Sequence, residues 1–193
     1  MSRIATYAAV NQLGYLALAI GASGAVVAGP GVAGALVYLL VLGLGWGAFC
    51  LSLEAVAART RTRDLDALGG LFAHAPGLAV AMILAVLTMC GCPGLLGFLG
   101  QRLLFAGGMW SRAWPIVVLG IFGSALTAAY GLRVVARIFW GERPRGLAPH
   151  FDPTGSAGPL LLGVVSLVFG VWSYPVLWLA SAALATVFGM RAG

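Results

Sequence analysis

Lysine is absent from this chain: all eleven of its basic residues are arginine. Charge of either sign is scarce, at 8% of 193 residues, against about 25% in an ordinary soluble domain. Nothing long and polar enough to form a soluble domain of useful size remains outside the apolar runs. A nucleic-acid role needs a basic stripe on a soluble face, and no such face exists here, so no nucleic-acid partner is expected. Cysteine is equally sparse. Cys50, Cys90 and Cys92 all lie in apolar stretches, and one residue between Cys90 and Cys92 is not the spacing of a metal knuckle. They read as small core residues. There is no cofactor-binding fingerprint, no nucleophile–base pair and no pair of carboxylates at a cavity. His74 stands in a loop before Ala75-Pro76 and reads as solvated or capping, and His150 stands in a Pro-rich loop without a second ligand. No catalytic centre, cofactor or metal site is therefore expected in the chain itself.

What is present is hydrophobic sequence, 61% of the residues, with mean hydropathy +1.02. Several runs exceed the ~20 residues that cross a bilayer. The expected architecture is all-α, a polytopic membrane helix bundle forming a single transmembrane domain over residues 1–193. Its spans are expected at about 4–28, 32–58, 77–109, 114–140 and 160–190. The first run carries Asn11, Gln12 and Tyr15 in its apolar centre and leads straight into further spans, unlike a signal peptide. The third run would be about 50 Å long as a helix, against a hydrocarbon thickness of about 30 Å. It is either two very short spans or one broken span. Arginine decides between them. With a single crossing, Arg3, Arg59, Arg61, Arg63, Arg137, Arg143 and Arg145 share one side, leaving Arg112 and Arg191 on the other. With two crossings the asymmetry nearly vanishes. The positive-inside rule favours about five spans with the third discontinuous, in a bacterial inner membrane or an organellar inner membrane, and the Arg-rich loops on the cytoplasmic or matrix side. Trp114 and Trp140 bracket the fourth span as interfacial anchors, and the overlong last run is expected to kink at Pro175.

Small residues recur at helical spacing, in Gly43, Gly45 and Gly47, in Gly120, Ser124 and Ala128, and in Ser181 and Ala185. Such faces let helices approach closely in lipid, although an Ala/Gly-rich composition also scatters these pairs by chance. The most informative stretch is "CGCPGLLGFLGQRLLF", residues 90–105, where Gly91, Pro93 and Gly94 break a helix inside an apolar run. Gln101 and Arg102 follow the break. Broken spans are tolerated where protein or a water-filled cavity satisfies the freed backbone, as in transporters whose half-helix ends line an ion path. The other reading is a proline kink with a snorkelling arginine. Arg133 has the same two readings, a polar-axis residue or a side chain snorkelling toward Trp140. Glu54, the one acid within a span, stands about a turn from Arg59 near the interface.

Five segments together carry a family resemblance: "RIATYAAVNQLGYLALAIG", "ALVYLLVLGLGWGAF", "DLDALGGLFAHAPGLAVAM", "CGCPGLLGFLGQRLLF" and "SALTAAYGLRVVARIF". In order and along almost the whole chain, they resemble the antiporter-like membrane subunits of respiratory complex I and its relatives. The N-type subunit is the nearest in pattern. The resemblance covers only the last five of about fourteen helices built as inverted repeats, so either another chain supplies the rest or this is a remnant kept for another role. It implies a proton-carrying lysine or glutamate after the break, where this sequence has Gln101. It places the family's lysine or histidine of the preceding helix at Gly34 or Tyr38, and the histidine of the first motif at Asn11. Arg133 matches an arginine of the family.

Proton relays in membranes need side chains that exchange protons, and neither an amide nor an always-charged arginine does so readily. Gln101, Arg102, Arg133, Glu54 and Asn11 are the candidates for the polar axis. The expected function is that of a membrane subunit resembling the C-terminal part of the N-type proton-translocating subunit of an NADH:quinone oxidoreductase, itself impaired in proton transfer. The alternative is a non-pumping structural subunit recruited to another bioenergetic complex, such as a photosynthetic or respiratory supercomplex. Partners would be other integral membrane subunits and lipids.

Overall fold

In lipid, every backbone N–H and C=O has to be satisfied by the protein itself, in helices or closed barrels, and continuous apolar runs of this length suit the helix. The structure, a computed structural model, describes residues 1–23, 30–110, 112, 114–141 and 153–188. Helix α1 is Ser2–Ser23. Helix α2, Pro30–Val41, continues through a π-helical turn, Leu42–Trp46, into α3, Gly47–Thr60. Then come α4, Pro76–Cys90, α5, Leu96–Trp110, and α6, Trp114–Phe139. The last pair is α7, Ala157–Val171, and α8, Tyr174–Phe188. Arg143, Arg145, His150 and Arg191 lie outside the described residues.

One end of the bundle is tied together by polar contacts. The Met1 ammonium donates to the carbonyl of Arg63 at 2.9 Å, Arg137 pairs with Asp66, and the Gly70 N–H reaches the Trp140 carbonyl. The start of α1, the loop after α3 and the end of α6 therefore share a level. Trp140 stacks on Phe72 there, with ring centroids 5.4 Å apart. Helix α6 has 26 residues, a length of about 39 Å at ~1.5 Å per residue, so Trp114 lies at the opposite end. Trp110, which closes α5, precedes it by a short link. Helix α4 thus begins beside the loop and α5 ends at the far side, each traversing part of the bundle in turn.

Among the described residues, three helical stretches suffice by length and composition to cross a membrane: Arg3–Gly21, Gly31–Thr60 and Trp114–Phe139. The α7–α8 pair, bent by 82°, makes a fourth if taken as one span. Helices α4 and α5 have 15 residues each, too few to span singly.

Two details differ from expectation. The last run does not kink at Pro175. It breaks at Trp172-Ser173, and Pro175 falls in the first turn of α8, where its missing N–H has no intrahelical partner to lose. The second run is not a uniform α-helix either, because the π turn at Leu42–Trp46 interrupts it. Its sequence, "LGLGW", contains neither proline nor a polar residue to announce the change.

Packing falls into two apolar clusters on either side of the α4–α5 break. Phe49, Leu53, Leu78, Met82, Val86 and Ile138 join α3, α4 and α6. Tyr38, Leu96, Leu99, Leu104 and Val176 join α2, α5 and α8. Helix α5 lies mainly along α2, and α4 along α6 and α7.

Candidate functional site

The sequence of α4 ends it in a recognisable way. Gly91 adopts φ +76°, its N–H bonds to the Thr88 carbonyl, and the Cys92 N–H bonds to the Leu87 carbonyl at 2.9 Å. This is the Schellman closure, in which a left-handed residue lets two N–H groups satisfy the last carbonyls of a helix. Pro93 then prevents the helix from resuming at once. A helix end still leaves further carbonyls without partners. Gln101, one and a half turns into α5, folds its side chain back and donates from Nε2 to the Met89 carbonyl at 3.2 Å. The broken helix is thus capped by its own second half.

Other irregular backbone meets this level. A methyl group placed on Gly45, in the π turn, would lie 3.0 Å from Cγ2 of Thr88 in the last turn of α4. One placed on Gly170, near the end of α7, would lie 2.4 Å from backbone atoms of Gly94 and Leu95. The π turn, the α4–α5 break and the end of α7 therefore pack together. Gly45 receives the Thr88 and Met89 side chains, whereas Gly170 meets the backbone of the break directly.

Buried polar side chains run through the same region. The Thr88 and Ser166 hydroxyls are 2.9 Å apart, linking α4 to α7. The Tyr38 hydroxyl donates to Oε1 of Gln12 at 2.8 Å, linking α2 to α1. Asn11 donates from Nδ2 to the Thr127 hydroxyl at 2.7 Å, linking α1 to α6. The Tyr15 hydroxyl donates to the Gly120 carbonyl at 2.8 Å. Gln12 is fully buried, and its Nε2 has no hydrogen-bond partner among the described residues. Arg59 is the one charged side chain among the buried polar ones described, and it lies at the end of α3. Around the break itself the axis consists of amides and hydroxyls.

Of the five side chains nominated from sequence, the structure brings two into this region. Gln101 is buried at the break, and Asn11 is half-buried on α1 against α6. Arg102, next to Gln101, is exposed on the outer side of α5, because consecutive helical residues point about 100° apart. Glu54 is exposed and pairs with Arg63 at 2.9 Å. Arg133 is exposed beside Tyr130 in a groove between α1 and α6. Pro93 and Gly94 are exposed at the break, while Gly91 lies half-buried beneath Gln101. Tyr38, Thr88, Thr127 and Ser166 were not nominated. Each is a lone polar residue in an apolar run, and only the phase of its helix reveals that it faces the interior.

Position 34 allows no side chain at all: a methyl group there would lie 2.8 Å from the backbone nitrogen of Leu104. At Gly91 the neighbour is movable, since a methyl group would lie 2.2 Å from Oε1 of Gln101. Two effects then separate. Gly91→Ala is expected to lose about 1–2 kcal/mol from the left-handed backbone alone, plus a further amount from displacing the Gln101 cap. In a Gln101→Ala background only the first loss should remain, giving a coupling of about 1–2 kcal/mol. Thermal unfolding of the four proteins in detergent measures it, and strict additivity would show that Gln101 does not rest on Gly91.

A helical membrane protein whose spans are interrupted around a buried polar axis has the construction of the ion-translocating transporters. Residues 1–127 match the family described as "NADH:quinone oxidoreductase/Mrp antiporter, TM", and the chain belongs to that family. It is 30% identical over 181 residues to NADH-quinone oxidoreductase subunit N 2 of Roseiflexus castenholzii, covering 92% of this chain and 36% of that protein. It is 31% identical over 193 residues to NADH-quinone oxidoreductase subunit N of Geobacter metallireducens, covering 95% of this chain and 39% of that protein. The chain thus spans well under half the length of these relatives. Among solved structures, a chain of respiratory complex I from Thermus thermophilus with bound NADH superposes with TM-score 0.77 at 28% identity, over 95% of this chain and 39% of that one. A chain of the Mrp complex from Dietzia sp. DQ12-45-1b superposes with TM-score 0.72 at 21% identity, over 95% of this chain and 47% of that one, a likeness of fold.

Proposed function

We propose that this chain is an antiporter-like membrane subunit of an NADH:quinone oxidoreductase-type complex in which the position after the helix break does not carry a proton. The observation behind this reading is Gln101. Its amide occupies the buried position where the resemblance calls for a titratable group, and its hydrogen bond to the Met89 carbonyl explains it as a cap. The C-terminal end of α4 carries the negative end of a helix dipole. A cation there would be stabilised and able to exchange protons, whereas an amide satisfies the carbonyl with no charge to pass on. Glycine at 34 and the Tyr38–Gln12 bond supply no ionisable group for the next step along the axis, and Arg102 and Arg133 are exposed. The subunit's partners on this reading are other integral membrane chains of the same assembly, and its Arg-rich loops lie on the cytoplasmic or matrix side.

The test is to purify the chain in mild detergent with whatever membrane subunits accompany it, reconstitute the assembly and follow quinone-dependent proton uptake. NADH-dehydrogenase-type or antiporter-type partners are expected. Gln101→Met, of similar volume, is expected to cost about 1–3 kcal/mol of stability by leaving the Met89 carbonyl unmet, with proton uptake per electron unchanged. Loss of uptake in an assembled Gln101→Met complex would contradict the non-titrating role. Partners drawn only from some other bioenergetic complex would favour the second reading, a structural subunit that keeps the shape of the fold, which the same uncharged axis supports.

A further inference from the structure

We propose that the groove between α1 and α6 is a binding site for a single anionic phospholipid, independent of the polar axis. The groove is a cavity of about 510 Å³, within the ~300–1,000 Å³ of specific ligand sites. Arg133, Arg137 and Asp66 line its loop end together with Ile4 and Leu65, and Leu126 of α6 lines it deeper in the bundle. Leu126, Tyr130, Arg133 and Arg137 follow one another at three- and four-residue steps, so they form a single stripe of α6. An apolar trough leading to a cationic mouth has the polarity of a phospholipid, acyl chain inward and phosphate at the interface.

Charge supports an anion in particular. Arg137 is engaged by Asp66, whereas Arg133 has no ion pair or hydrogen bond among the described residues. Two arginines and one aspartate leave the mouth with an excess positive charge. Arg133 is seven residues before Trp140, about 10 Å along the axis, a depth from which its guanidinium reaches the headgroup layer. Basic pockets between helices on the cytoplasmic side hold anionic headgroups in this way, and guanidinium forks suit phosphate geometry.

The experiment is native mass spectrometry of the full chain, in its purified assembly, titrated with phosphatidylglycerol or phosphatidylcholine after delipidation. One phosphatidylglycerol per chain is expected to bind in preference to phosphatidylcholine. Arg133→Gln is expected to weaken it by about five-fold or more, while Arg61→Gln, an exposed arginine at the same end and outside the groove, leaves it unchanged. Glycerol phosphate, which lacks the acyl chain, should not compete. Equal retention of the two lipids, or equal weakening by both arginine variants, overturns the proposal. So does a photo-reactive group at Tyr7 that crosslinks to a neighbouring polypeptide instead of to lipid, because the groove is then a protein interface.

Discussion

Gly97→Ala is expected to destabilise the chain by about 3 kcal/mol or more, at the upper end of the usual cost of overpacking. A methyl group at that position would lie 1.7 Å from the carbonyl oxygen of Thr88 and 2.8 Å from its carbonyl carbon. Neither atom is the free end of a flexible side chain. Thr88 is in the last turn of α4, its carbonyl accepts the Gly91 N–H and its hydroxyl meets Ser166. Relief therefore requires α5 to withdraw from α4, with loss of the Gln101 cap and the α5–α2 packing. In a protein of this size the loss should lower the unfolding midpoint by about 6–12 °C, or abolish the monodisperse protein in detergent. Gly14→Ala is the control, because a methyl group there meets nothing within 4 Å and alanine favours the helix by up to about 1 kcal/mol. Equal behaviour of the two variants would show that α5 does not approach α4 so closely.

Gly170→Ala should have an effect of the same order for a different contact. The added methyl would meet the Gly94 carbonyl oxygen and the backbone of Leu95 at 2.4 Å, so the end of α7 could no longer rest on the break. The partner here is the irregular segment itself, and the expected signature is local. Hydrogen exchange should rise at Gly91–Leu95 and in the first turn of α5 before it rises in α6. Unchanged protection of the break in Gly170→Ala would remove α7 from the set of elements that hold it in place.

These glycines show where sequence reading stops. Gly43, Gly45 and Gly47 form a conspicuous small-residue row, yet only Gly45 is tight against another helix, while Gly43 meets nothing within 4 Å. Gly34, Gly97 and Gly170 belong to no such row and make the closest backbone approaches. Spacing defines which small residues share a face, but rotation of each helix about its axis decides which face meets a neighbour. The same geometry separates Gln101 from Arg102. In sequence they form one polar pair, while in the bundle one caps α4 and the other is exposed. Glu54 likewise stands a turn from Arg59 in sequence, while its ion-pair partner Arg63 lies across the turn that Arg61 makes with φ 53°.

By itself, the sequence determined that the chain is helical and membrane-embedded, since runs of this hydropathy have no other way to satisfy their backbone in lipid. It also located the irregularity, because Gly91-Cys92-Pro93-Gly94 must at least kink a helix. The order of its motifs pointed to the family to which residues 1–127 belong. Only the tertiary structure decided that the π turn and the end of α7 meet that break, and that Gln101 serves as its cap. Hydrogen bonds and close approaches between helices depend on positions a fraction of a helical turn apart, and that phase is set by packing against neighbours distant in sequence.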